Sequence, residues 1–231
     1  MVDKNYIRWL DEIDKNDIAK VGGKGANLGE MFQAKIPVPY AYVVTAKTYF
    51  DFISQTKIKD KIKKQLSFLD HHDPANLDQT AKNVQKIILK AAIPKNIAQN
   101  IMLAYLNLVV KAKSKHKLTE KLSSYLKNPL VAVRSSATAE DLPGASFAGQ
   151  QETYLNIFGE ANVLQAVHKA WASLFTPRAI FYRCEQKFDH MNVGIAVVVQ
   201  MMVASETSGV MFTIDPVTND KSKITIEAVF G

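Results

Sequence analysis

Val131-Ala132-Val133-Arg134-Ser135-Ser136-Ala137-Thr138-Ala139-Glu140-Asp141-Leu142-Pro143-Gly144-Ala145-Ser146-Phe147-Ala148-Gly149-Gln150-Gln151-Glu152-Thr153-Tyr154-Leu155-Asn156-Ile157 reads as a strand, a loop of hydroxyl and glycine residues, and a second strand. The alternating Val131 and Val133 predict a short buried strand near 130–134, so Arg134 emerges where the chain leaves the sheet. Small residues from Ser135 to Gln150 let backbone N–H groups approach an anion closely, and the guanidinium can fork onto two of its oxygens. The strand resumes near 152–157 with Tyr154, Leu155 and Ile157. The same composition also suits a plain surface connection, so the loop alone does not decide its own chemistry.

A second segment, Val21-Gly22-Gly23-Lys24-Gly25-Ala26-Asn27-Leu28-Gly29-Glu30-Met31, sets a lysine after two glycines and ahead of a stretch with helical apolar spacing (Leu28, Met31, Phe32). The lysine then sits at a helix start, where ammonium, N–H groups and dipole all favour an anion. The Walker A spacing and the dinucleotide fingerprint of glycines are both absent, so neither P-loop nor Rossmann chemistry can be claimed. A glycine turn bearing a solvated lysine is the other reading of this segment taken singly.

In content and order the two segments resemble the ATP-binding domain of the phosphoenolpyruvate synthase and pyruvate phosphate dikinase family, nearest its synthase branch. The likeness continues in Ala172-Ser173-Leu174-Phe175, in Arg178-Ala179-Ile180-Phe181-Tyr182-Arg183, in Val199-Gln200-Met201-Met202-Val203 and in Ser208-Gly209-Val210-Met211-Phe212-Thr213-Ile214-Asp215-Pro216. It spans nearly the whole chain, with residues 55–125 the least distinctive. The resemblance implies an α+β, ATP-grasp-like fold that holds ATP between two subdomains, cut before the family's final metal-binding segment. By position, Lys24 and Arg134 match the family's phosphate-binding lysine and arginine, Gly149 and Thr153 match loop positions that contact ATP, and Gln200 matches the residue at the adenine strand. The Gln200 amide would meet the adenine edge, with Val197, Val199, Met201 and Met202 as an apolar slot for the base.

The family acts through ATP with Mg²⁺, a phosphorylated histidine and a pyruvate-binding barrel. The resemblance therefore implies a parent enzyme converting ATP, pyruvate and water to AMP, phosphoenolpyruvate and phosphate. Neither the histidine and pyruvate domains nor the segments that complete the ATP site are in this sequence, so no catalytic residue and no metal ligand is expected within it, and the chain alone should be inactive. The alternatives are a related dikinase acting on pyruvate with phosphate, an antibiotic or a glucan, and a stand-alone nucleotide-binding module.

Composition agrees. At 231 residues and 47% hydrophobic, the chain can bury a substantial core. One cysteine, Cys184, excludes a disulfide framework and points to a reducing, cytoplasmic setting. There is no signal peptide and no apolar run of membrane length. The formal charge of +7 comes from lysines spread over the surface without interleaved aromatics, which argues against nucleic acid.

Organisation falls into a mainly helical region, 1–127, and a strand-rich region, 128–231, carrying the phosphate loop and adenine strand. In the first, Thr45 caps a helix with Tyr49, Phe50 and Phe52, Asn76-Leu77-Asp78 opens another, and Pro94 starts one whose Ile97, Ile101, Tyr105 and Leu108 share a face. In the second, helices near 160–174 and 177–187 precede strands at 194–203, 208–214 and 223–229, read as an antiparallel meander. Glu140 and Asp141 read as tethers of the loop rather than metal ligands, and the loop from Ala139 to Gln150 is expected to order on nucleotide binding. The role of Glu227 is open. The five histidines, His71, His72, His116, His168 and His190, sit in unrelated contexts, and Cys184 reads as a small buried hydrophobe.

Overall fold

The computed structural model describes residues 2–115, 129–138 and 152–230. Glu140, Asp141, Gly149, His116 and the Ala139–Gln150 loop lie outside these residues. The fold is α+β, built on a five-stranded antiparallel sheet of order β1-β2-β5-β3-β4. Its strands are β1 (Ile7–Trp9), β2 (Ala41–Val44), β3 (Val131–Ala137), β4 (Thr153–Ile157) and β5 (Ile195–Met201). Seven α-helices are described: α1 (Ile18–Gln33), α2 (Ala46–Gln55), α3 (Lys59–Leu66), α4 (Pro74–Lys90), α5 (Lys95–Lys115), α6 (Glu160–Ala172) and α7 (Pro177–Glu185).

Strand β5 occupies the centre because its run Ile195 to Val199 is at most 2% exposed, as both faces of an interior strand must be. It pairs with β2 through Val43↔Val198 and with β3 through Arg134↔Val198. That is a correction to the expected meander: β5 does not pair with its sequence neighbour. The following strands, β6 (Thr207–Phe212) and β7 (Thr225–Phe230), form their own two-stranded ribbon, exposed along its length.

Period-two alternation sorts the sheet residues onto two faces. Tyr42, Val131, Val133, Val197 and Val199 share the face covered by α5 and α6, and the Tyr42 hydroxyl donates to the Ile101 carbonyl at 3.3 Å. Ile97, Ile101, Tyr105 and Leu108 are fully buried, the single face expected of α5. The opposite face takes α1, whose Gly25 lies against Val43.

Helix starts follow capping chemistry. Thr45 Oγ1 accepts from Thr48 N, Asp73 Oδ1 from Ala75 N and Thr176 Oγ1 from Ala179 N, the last two followed by proline at the first helical position. Asp73 therefore opens α4 at Pro74, two residues before the expected start at Asn76, whose Oδ1 instead accepts from Asp70 N. The mainly helical first region also supplies two strands, β1, whose alternation covers only three residues, and β2, buried throughout, so that neither shows a usable period in the sequence.

Candidate functional site

Gly22 breaks α1 with φ 68° and ψ 171°, and regular helix restarts at Gly23, which puts Lys24 in the first turn with the positive end of the dipole behind it. The break is docked against β3. Ser136 Oγ donates to the Val21 carbonyl at 2.9 Å and accepts from Gly25 N at 3.3 Å. A Cβ at Gly22 would overlap the side chain and carbonyl of Ser136, so glycine is required both by the backbone angle and by the closeness of the strand.

Ser136 lies two residues from Arg134 on one strand, hence on the same face. Strand β3 continues past its expected end to Ala137, so Arg134 lies mid-strand rather than where the chain leaves the sheet; it is half-buried, the one residue of β3 that is not buried. Its direct neighbours in the ladder are Val198 on β5 and Thr153 on β4. Thr153 is exposed on the edge strand. On β5, Gln200 is two residues beyond Val198 and opposes Ala132. Register and the Ser136 tether thus bring Lys24, Arg134, Thr153 and Gln200 to one side of the sheet, while Gly149 is outside the described residues.

Gln200 is 8% exposed, and its Nε2 donates to the Pro39 carbonyl at 3.1 Å, fixing the end of β5 to the approach of β2. Three of its expected companions, Val197, Val199 and Met201, fall on the opposite face, Met201 through its pair with Val131. Val197 and Val199 are fully buried there, so they belong to the core and cannot line a slot for a base beside Gln200. Met201 and Met202 are half-buried at the strand end. Strand β4 carries one extra residue between its pairs with Val131 and Val133, and Asn156 takes φ 56° there, a bulge that resets the edge next to Thr153.

Sequence reasoning missed Ser136 as the residue joining the two segments. Its spacing of two from Arg134 was the available signal. The histidines also fall into groups the sequence did not indicate. His71 and His72 lie ring beside tilted ring, with His71 reaching Glu185, and His190 Nδ1 accepts from Arg183 Nε at 2.9 Å while its Nε2 lies 3.5 Å from Cys184 Sγ. Cys184 is half-buried, packed against the core and beside the His190 imidazole, and burial pushes its thiol above the ordinary value. Arg183 is fully buried over the Phe175 ring, and burial brings its guanidinium down to about 10. Glu227 stands on the exposed ribbon opposite Val210.

Residues 18–231 match the family described as "Pyruvate phosphate dikinase, AMP/ATP-binding domain". The chain belongs to this family. Its relatives include a "Probable phosphoenolpyruvate synthase" of Archaeoglobus fulgidus, 53% identical over 97% of this chain and 28% of the relative. A protein of the same description from Methanocaldococcus jannaschii is 49% identical over 98% of the chain and 18% of its own length. The "Phosphoenolpyruvate synthase" of Pyrococcus furiosus is 41% identical, with 98% and 30% covered. This AMP/ATP-binding domain therefore spans less than a third of each of these relatives. Among the described residues, no helix is long and apolar enough to cross a membrane.

Proposed function

We propose that the chain is the ATP-binding part of a phosphoenolpyruvate synthase with an ATP-grasp fold, in which the face bearing Lys24 and Arg134 holds the phosphates of ATP. The observation that carries this reading is the Ser136 tether, which brings a glycine-lysine helix start to the strand face of Arg134 across more than a hundred residues of sequence. An ammonium in the first helical turn and a forked guanidinium are complementary to a polyphosphate. Gln200 lies near the far end of the same strand face. A primary amide has a second N–H and an accepting oxygen beside the hydrogen given to Pro39, and these are the groups it presents to a base edge. Thr153 and Gly149 would close the cradle from the β4 side, by hydroxyl and by backbone.

The face fits an anion better than a cation. On β2, β3 and β5 the residues sharing it are Ala41, Val43, Ala132, Arg134, Ser136, Ala196, Val198 and Gln200, without a carboxylate. Mg²⁺ would arrive with ATP and take its protein ligands from elsewhere. The longer relatives support a parent whose further domains carry the phosphorylated histidine and bind pyruvate, with AMP, phosphoenolpyruvate and phosphate as products, in the cytoplasm. The family is that of pyruvate phosphate dikinase, whereas its similar relatives are phosphoenolpyruvate synthases, which favours the synthase. The ribbon β6–β7, exposed on both sides with Val210 at 54% on one face and Met211 at 62% on the other, fits a surface that further chain covers in such a parent.

Calorimetric titration of MgATP into the chain tests the reading. We expect saturable binding, weakened at least about tenfold by Arg134→Ala and by Lys24→Ala, as removal of a charge-assisted contact predicts. Incubated with ATP, Mg²⁺ and pyruvate, the chain by itself should form no AMP. Nucleotide affinity unchanged in both variants would reject the site; AMP production by the purified chain would reject the division of labour.

A further inference from the structure

Outside the Lys24–Arg134 face, two adjacent histidines and a helix-terminal carboxylate meet. His71 and His72 lie in the turn ahead of α4, and Glu185 is the last residue of α7. His71 Nε2 is 3.5 Å from Glu185 Oε1, the two imidazole rings lie with centroids 4.0 Å apart and planes tilted by 39°, and one donor atom from each residue lies within 4.8 Å of the others. We infer that His71, His72 and Glu185 bind a divalent transition cation of the zinc class, which clips the turn before α4 to the C-terminal end of α7.

Two imidazole nitrogens and one carboxylate oxygen form a donor set that Zn²⁺ takes at roughly 2.0–2.2 Å, for which ligand atoms stand about 3.4 Å apart in a tetrahedron. The His71–Glu185 separation is already at that spacing, and the 4.8 Å bound leaves the third ligand a side-chain rotation away. An ion pair accounts for His71 and Glu185 but leaves out His72, whose ring centroid lies 4.0 Å from that of His71 and which brings a second imidazole donor to the same cluster. The elements holding the ligands are fixed. The His71 ring rests against Phe181, one turn before Glu185, at 6.2 Å. His72 N donates to Asp70 Oδ1 at 3.0 Å, and Asp70 N donates to Asn76 Oδ1 at 2.8 Å, so the turn is tied into α4. The carboxylate sits at a helix C-terminus, where the dipole favours positive charge. Three protein ligands leave water to complete the shell. Mg²⁺ prefers oxygen ligands and would be refused.

The test is calorimetric titration of ZnCl₂ into the tag-free, chelator-treated chain, with thermal unfolding followed in parallel. The inference predicts a stoichiometry of about one and a raised midpoint, because a cation that binds only the folded state stabilises it by mass action. His72→Ala and Glu185→Gln should each weaken binding at least about tenfold. MgCl₂ at equal concentration should leave the midpoint unchanged. Absence of saturable Zn²⁺ binding, or unchanged affinity in a His71→Ala/His72→Ala double variant, overturns the inference. Cobalt provides a check on the unaltered chain: visible bands of nitrogen and oxygen ligation support the site, and a thiolate charge-transfer band overturns it by placing the metal on Cys184 and His190.

Discussion

Gly22 has ψ of 171° at φ 68°, a region open essentially to glycine, with Ser136 directly against it. Gly22→Ala would add backbone strain to a steric overlap, and we expect a loss of about 2–5 kcal/mol in urea unfolding. Ser136→Ala removes both hydrogen bonds of the tether and leaves the buried Val21 carbonyl without its partner, for an expected loss of about 1–3 kcal/mol. An unchanged midpoint for both would mean that α1 is held by its apolar contacts alone. The helix restart that carries Lys24 was legible from its glycine pair, and the start of the strand that carries Arg134 from Val131 and Val133, whereas the small residues Ser135 to Ala137 hid the strand's continuation. Ser136 was not, because its partners lie 111 and 115 positions away and a hydroxyl bears no mark of a distant one.

At the scale of elements, β5 and the β6–β7 ribbon both carry valines, but in different surroundings. Val199 is fully buried and Val229 is 60% exposed. Val199→Ala should cost about 2–3 kcal/mol from lost transfer energy and cavity formation, while Val229→Ser should stay within about 0.5 kcal/mol. Comparable losses at the two positions, measured by chemical denaturation, would mean that the ribbon is packed in solution. The same contrast explains where sequence patterns failed. Three strands in succession suggested a meander, yet β5 joins strands from both regions of the chain, and pairing across 161 residues, as in the Gln200 bond to Pro39, leaves no local trace. The face of α5 was readable because Ile97, Ile101, Tyr105 and Leu108 repeat at helical spacing. Asn76 misled because asparagine serves a turn as readily as a cap, and the structure uses it for the turn.

For the whole molecule, His168 marks where three helices close over the core. From α6 its Nε2 meets the Ile88 carbonyl of α4 at 2.9 Å, and its ring stands edge-on to Phe52 of α2 at 5.3 Å. Burial lowers its basicity from the ordinary 6.5, the Ile88 contact opposing this only in part. The unfolded chain then takes up a proton near 6.5 and the folded chain only at lower pH, so protons favour unfolding between the two values. The stabilisation is complete above about pH 6.5 and is lost as pH falls toward the folded value. His190, held down to about 4 by burial and by the Arg183 guanidinium, acts in the same direction. Replacing His168 with glutamine keeps a donor for Ile88 and removes the titration at that position alone. His168→Gln should therefore flatten the fall in unfolding free energy between pH 7 and pH 5 without abolishing it, because His190 remains. Equal slopes for the two proteins in urea unfolding across that range would show that His168 is as basic in the folded chain as in the unfolded one, and that the junction of α2, α4 and α6 tolerates its charge.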